Sequence, residues 1–524
     1  MNILHNITRR ICIALACVMP ALSCSDSLLE YSPTDSGSGD ALMKDASTAI
    51  SSINGIYRSM WTAGWSTTGN THQCFGIAAY NIALDCMGDD FIMQSQGNGW
   101  FWYDHIYNVK AQYSSSAFRS YDVWYAYYTW IANANTIIAS RETMAGPAAD
   151  VAYVQGQAYA IRALSYLSLA TWYARAPYNP LNDTWRWNEP CVPIYTEPTT
   201  ISTQGQPRST NKDVYAQVES DINEAVALLE KAQGSSLDKG NKSHINLYVA
   251  LAIKSRLALA IGDWEMAYNA AKRVIDESSY EIGGESELLT GMNSVARKNV
   301  MWGAGIETSE QAGAYASFFA HMDNADGAYA KSAPKLINKQ LYNHISANDI
   351  RRAWWDPSDK ESPYISRKFS YSNVQSGLGD YIYMRFEEMY FTAAEAALRM
   401  RNVTEARELM NKVMAPRNPQ YNANYYSGTF LGSTTTTWTG SLLENILIQR
   451  RIELWGEYGR LFDIRRLGQG IDRRAEDGFA DECVSTMKRN GINLNDANTY
   501  DWVLTIPKAE IDANSNINDE DQNP

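Results

Sequence analysis

Histidine, clustered cysteine and basic charge are all in short supply in this chain of 524 residues. Its six His are scattered and never form H-E-x-x-H, so the common metallohydrolase pattern is missing. Neither G-x-S-x-G nor a phosphate-cradling glycine loop occurs, which removes the usual nucleophile-elbow and nucleotide-binding readings. There are seven Cys and no C-x-x-C; beyond residue 24 they are Cys74, Cys86, Cys191 and Cys483, too far apart for a zinc site. Lys and Arg number 45 against 58 Asp and Glu, and no basic cluster offsets the net charge of −13. Phosphate backbones would repel such a chain, so nucleic acid is excluded as a partner. Asp89-Asp90 and the Asp323–Gly327 stretch supply too few oxygens, or the wrong spacing, for calcium, and no metal or cofactor is expected. Glycoside hydrolysis alone passes this sieve, because it needs only two carboxylates among 58 acids.

Long apolar runs are also missing, apart from one at the N-terminus. Arg9 and Arg10 precede an apolar stretch from Ile11 to Leu22 that ends at Ser23-Cys24. This is the layout of a secretory signal peptide, too short to span a bilayer as a mature helix. A Cys at the cleavage point resembles a bacterial lipobox, although Ala21 and Leu22 sit where Leu and a small residue are more usual. Residues 1–23 then read as the signal, Cys24 as the lipid attachment point, and 24–40, rich in Ser, Gly, Asp and Pro, as a flexible tether. Loss of the signal takes the net charge to −15, since it carries two Arg and no acid.

What the chain does have is helical periodicity and aromatic rings. From Ser209 to Glu230, Val214, Val218, Ile222, Ala225, Val226 and Leu229 recur at spacings of three and four, and Thr210 with Asp213 forms a capping box. A helix from Ser243 to Ile261 stops at Gly262, and Asp263 caps another running to Glu277. Ala-rich faces on such pairs predict tetratricopeptide-like hairpins. The same pattern recurs at Phe386–Met400 with Val413, where Asn402 would take the left-handed stop and Thr404 the cap. It recurs again at Ser120–Ser140 with Val151–Tyr173 across a Gly146-Pro147 turn. The expected fold is mainly α, about four such hairpins in one domain over 41–524, with minor β and a long-loop, aromatic-rich face. The irregular stretches at 62–119, 174–208, 281–380 and 415–440 hold most of the tryptophans.

Residues 445–468, NILIQRRIELWGEYGRLFDIRRLG, resemble the SusD/RagB family in Arg450, Arg451, Glu453, Leu454, Glu457, Gly459, Arg460, Phe462, Asp463 and Arg466. The end, Ile506-Pro507 through Glu510 and Asn514 to Gln522-Asn523-Pro524, is similar to that family's terminal signature. So are Cys24-Ser25-Asp26, Arg162-Ala163, Arg208, Gly262-Asp263-Trp264 and Arg385 with Ala394-Glu395-Ala396, in order. One departure falls at Tyr173-Ala174-Arg175-Ala176-Pro177, where the family often has Tyr-Gly-Asp-x-Pro. The resemblance implies a surface lipoprotein of the outer membrane that binds a nutrient, most often an oligosaccharide and sometimes a peptide. It implies no catalysis, and a SusC-like TonB-dependent transporter as partner.

A sugar binder needs exposed rings beside hydrogen-bonding side chains. Trp65 lies in a Gly-Ser-Thr loop, Trp100 and Trp102 follow Gln94–Gly99, and Trp354 follows Arg351-Arg352. These four are the expected platforms, with Trp355, Trp185 and Trp187 behind them. Alternation predicts that Trp100 and Trp102 share one face and Phe101 and Tyr103 the other. Trp61, Trp124, Trp130 and Trp264 sit on helical faces and are expected in the core, as most tryptophans are. The Arg and Glu residues of 450–466 are expected to form a structural ion-pair network.

Overall fold

The helices follow from where the sequence can start and stop them. The computed structural model describes residues 42–63, 69–107, 118–307 and 316–524; Cys24 and Trp65 lie outside these. Before the main array come α1 (Ala46–Ser59) and α2 (Ile77–Met87). The array begins with α3 (Phe118–Ala139) and α4 (Ala148–Tyr173), turned by Gly146 at φ 127° and opened by Pro147. α4 is buried on almost every side, because α1, α3 and α5 (Asn211–Lys231) all pack on it. Gly156 permits the close approach of α5: a Cβ there would lie 2.8 Å from Leu229 Cγ. The capping box forms, with Asp213 N–H donating to Thr210 Oγ1 at 3.2 Å and Thr210 N–H to Asp213 Oδ2 at 3.3 Å.

α6 (Leu247–Ile261) ends at Gly262, φ 68°, and Asp263 opens α7 (Trp264–Glu277) by accepting from Met266 N–H at 2.9 Å. α7 in turn packs on α8 (Glu387–Arg399) through buried Ala267, Ala270, Ala393 and Ala396. Between α8 and α9 (Val403–Met414) the expected stop is displaced: Arg401 takes the positive φ, 68°, and Asn402 becomes the cap, accepting from Glu405 N–H at 3.3 Å. A cap hydrogen bond contributes about 1 kcal/mol, which offsets the ~1 kcal/mol cost of a left-handed Arg. α10 (Leu442–Glu453) packs on α8, and the short α11 (Arg460–Arg466) packs on α2. Strands are short: β1 (Phe91–Ile92), the hairpin β2 (Tyr178–Asn179) and β3 (Thr184–Trp185), β4 (Val300–Ala304), β5 (Leu336–Ile337), β6 (Trp355–Asp356), β7 (Ile365–Ser366) and β8 (Tyr381–Arg385). One antiparallel sheet runs β1-β5-β7-β6, and β4 pairs with β8. A continuous buried apolar cluster reaches from Ala46 to Ile506 and joins the helical array to this loop-rich side.

The charged stretch at 450–466 is buried and paired. Glu453 accepts from Arg385 at 2.7 Å, Arg417 at 2.8 Å and Arg351 at 3.1 Å, all with side chains fully buried. Arg450 and Arg466 close on Asp463 at 3.0 and 2.6 Å, and Arg466 reaches Glu395 at 2.9 Å. Asp89 and Asp90 are taken by Arg460 and Arg451 at 3.0 and 2.6 Å, which is why they present no cation site. The chain's end is stitched back in the same way. Asn523 Nδ2 donates to Tyr173 O and Leu504 O, and Asn523 Oδ1 accepts from Arg208 at 2.8 Å. Cys74, Cys86, Cys191 and Cys483 are free and buried. Among the described residues no helix is long and apolar enough to cross a membrane, and no group of His, Cys, Asp or Glu could hold a metal.

Candidate functional site

The segment Gln94–His105 curls, so simple alternation does not apply to it. Gly97 and Gly99 have φ of 52° and 89°, Phe101 is left-handed at 63°, and a helical turn covers Trp102–His105. Phe101 is the anchor: its N–H donates to Gln73 Oε1 at 2.9 Å, and its ring lies 5.4 Å from the Arg119 guanidinium, which Asp104 holds at 3.0 Å. Trp102 is drawn into the core behind it, 2% exposed and 5.8 Å from the His105 ring. Trp100 and Trp102 therefore part company, and Trp102 has no face to offer a ligand.

Trp100 stays part-buried and joins a cluster at the loop surface. Its ring stacks on His72 at 4.9 Å and 13°, and meets the edge of Tyr329 at 6.2 Å and 71°. The Tyr329 hydroxyl and His72 Nδ1 share a hydrogen bond of 2.6 Å. Beneath them His321 Nε2 donates to His72 O at 2.7 Å, and its ring stacks on Tyr329 at 4.8 Å. Burial, helped by nearby Lys335, pushes His321 down to about 3, so it remains a neutral prop. Exposed Gln94, Ser95 and Gln96 precede Trp100 in the same loop, and Trp100 N–H donates to Asn98 Oδ1 at 3.2 Å. Asn98 Nδ2 is buried without a hydrogen-bond partner. The arrangement is a part-buried ring braced on two sides at the end of a polar loop. His72 and Tyr329 are 257 residues apart and no motif in the sequence links them.

The other expected platforms fare differently. Trp354 is 1% exposed; its Nε1 donates to Leu288 O at 2.7 Å and Lys368 Nζ sits 4.5 Å from its ring. It sinks because Arg351, three residues earlier, is pulled inward by Asp349 and Glu453, and Trp355 follows it at 3% exposed. Trp65 falls outside the described residues. Trp185, by contrast, is 47% exposed, flanked by Tyr178 at 4.2 Å and Trp187 at 5.3 Å. Trp61, Trp124 and Trp130 are core, whereas Trp264 is part-buried under the Arg399 guanidinium at 5.0 Å.

A SusD-family model matches residues 337–524, and a second, described as starch-binding associating with outer membrane, matches 70–259. The chain is SusD-like over both of these stretches. Its fold is shared with solved members along nearly the whole length. A SusD-like carbohydrate binding protein from Bacteroides vulgatus is 26% identical, with a TM-score of 0.72 over 91% of this chain and 98% of that one. A SusD superfamily protein from Bacteroides thetaiotaomicron is 23% identical, TM-score 0.70, over 92% and 100%. A laminarin binding SusD-like protein is 17% identical, TM-score 0.64, over 92% and 99%. Among curated proteins no match is found. In this SusD-like chain Arg162, Arg208, Arg385, Glu453, Asp463 and Asn523, the residues that carry the sequence resemblance, are all engaged in structural pairings and so report the scaffold.

Proposed function

We propose that this protein captures an oligosaccharide at the cell surface and passes it, uncleaved, to a SusC-like TonB-dependent transporter. Cys24 carries the lipid that holds it to the outer membrane, and residues 24–40 act as the tether for a single folded unit. Trp100 carries the reading: a part-exposed ring braced by His72 and Tyr329, at the end of a loop of exposed amide and hydroxyl side chains. A pyranose face laid on ~80–100 Å² of ring contributes about 2 kcal/mol. Hydroxyls pairing with the exposed Gln94, Ser95 and Gln96 add about 1 kcal/mol each. The total falls near millimolar affinity, which suits a protein that must release what it holds. Kinship with a carbohydrate binding protein of Bacteroides vulgatus and a family description tied to the outer membrane support the reading. The test compares wild type with Trp100→Ala by calorimetry against a glycan panel, with chromatography of the sugars afterwards. The reading expects a roughly tenfold or greater loss of affinity, an unchanged melting temperature and intact sugars. Equal affinity in the two proteins, or appearance of shorter sugars, would refute it.

A further inference from the structure

A second aromatic groove lies along the outer face of α3, sharing no residue with the Trp100 cluster. It encloses about 440 Å³, within the size range of small-molecule sites. Trp124, 6% exposed, forms the floor; Tyr125, 44% exposed, and part-buried Tyr128 and Tyr195 form the walls. Asn133 of α3 and Glu510 of α12 (Lys508–Ala513) stand at the rim.

Helical spacing sets the rings in pairs: Tyr121 stacks on Tyr125 at 5.6 Å and 11°, and Trp124 packs on Tyr128 at 4.7 Å. Their other ends are pinned. The Tyr128 hydroxyl donates to Pro193 O at 2.7 Å, the Tyr195 hydroxyl accepts from Gln206 N–H at 2.9 Å, and the two rings meet edge to face at 6.0 Å. Below, Asn135 is held by Arg162 at 2.8 Å and donates to Tyr195 O at 3.0 Å. Ring orientation is thus fixed before any ligand arrives, which lowers the entropic cost of binding. At the rim, Asn133 Nδ2 donates to Thr129 O at 2.9 Å and Glu510 Oε1 accepts from Asn514 at 2.8 Å; Glu510 has no ion-pair partner among the described residues. Fixed rings with an amide and a carboxylate at the edge match a neutral, hydroxyl-rich ring.

We propose that this groove is a second oligosaccharide subsite, a deepening that rests on the carbohydrate reading above. Two weak sites on one chain raise affinity for long polymers through effective concentration, while short sugars fill each site separately. The test uses the full mature chain, the double variant Tyr125→Ala/Asn133→Ala, Glu510→Gln and Trp100→Ala. Calorimetry is run with trisaccharides of α-glucan, β-glucan, mannan and xylan, and affinity electrophoresis with the matching polysaccharides. Expected are two trisaccharide equivalents for wild type and one for the double variant, with at least a tenfold loss of polymer affinity. Glu510→Gln, whose carboxylate only borders the groove, should show a smaller loss in the same direction. Wild-type stoichiometry and polymer affinity in both groove variants would overturn the subsite and leave the Trp100 site standing. Loss in the groove variants with none in Trp100→Ala would keep the groove and overturn the Trp100 reading. No saccharide bound by wild type would overturn both.

Discussion

Changing Glu453 to Gln removes one charge and almost no volume, so its effect isolates the electrostatics of the buried network. Burial alone would raise this carboxylate, but the Arg417, Arg385 and Arg351 guanidiniums together hold it well below the ordinary range. It accepts four hydrogen bonds from those three side chains, at 2.7, 2.8, 3.1 and 3.2 Å. Around it the charges balance: Arg351, Lys368, Arg385 and Arg417 face Asp349, Glu387, Glu453 and Glu457, linked by close ion pairs. The Gln variant leaves this sealed cluster with one surplus cation and an amide that cannot satisfy three guanidiniums. Breaking a buried pair by removing one partner costs about 3–5 kcal/mol, because the remaining charge is stranded away from water. With an unfolding entropy of ~2.1 cal/mol/K per residue, a chain of this length should lose roughly 3–5 °C in melting temperature. Urea unfolding followed by tryptophan fluorescence, with scanning calorimetry, measures both. Arg141–Glu224, 2.7 Å apart but more than a third exposed, is the control: Glu224→Gln is expected to leave the midpoint in place because water and salt screen the pair. A Glu453→Gln loss below about 1 kcal/mol would refute the reasoning, since water would then be reaching the guanidiniums.

Asp85 gives a pH signature: burial pushes its carboxyl up to about 8. The unfolded chain releases that proton near pH ~4. Between these values the folded form keeps a proton the unfolded form has lost, so this contribution to stability falls as pH rises towards 8. Asp85→Asn should flatten the change in urea midpoint between pH 5 and pH 8; an unchanged slope would clear Asp85 as its source. The four buried Cys thiols should resist a thiol reagent in the native protein and react after denaturation, and fewer than four then titrating would reveal a disulfide. Cys24→Ala should move the protein from the membrane pellet to the soluble fraction, and retention in the pellet would contradict the lipid anchor.

Most of the scaffold was legible in the sequence because its signals are local. Thr210 with Asp213 and Gly262 with Asp263 each specify a helix boundary within a few residues, and both boundaries form as expected. The Arg401–Asn402 boundary shifted because Asn402 serves better as a cap than as a left-handed residue. The site was far less legible. A tryptophan's exposure depends on what the rest of the chain brings to it: Trp354 was carried inward by Arg351, and Trp102 by the anchoring of Phe101. His72 and Tyr329 brace Trp100 from distant segments, and Tyr195 and Glu510 reach the α3 groove from far outside it. No pattern within a window of a few dozen residues contains such meetings.

Capture without chemistry is tested most directly by calorimetric titration of residues 25–524 with polysaccharides, host glycans and peptides, each sample then analysed for products. The account predicts binding confined to a saccharide class, with every sugar recovered at its original length. Binding of peptides alone, or recovery of shortened sugars, would contradict it.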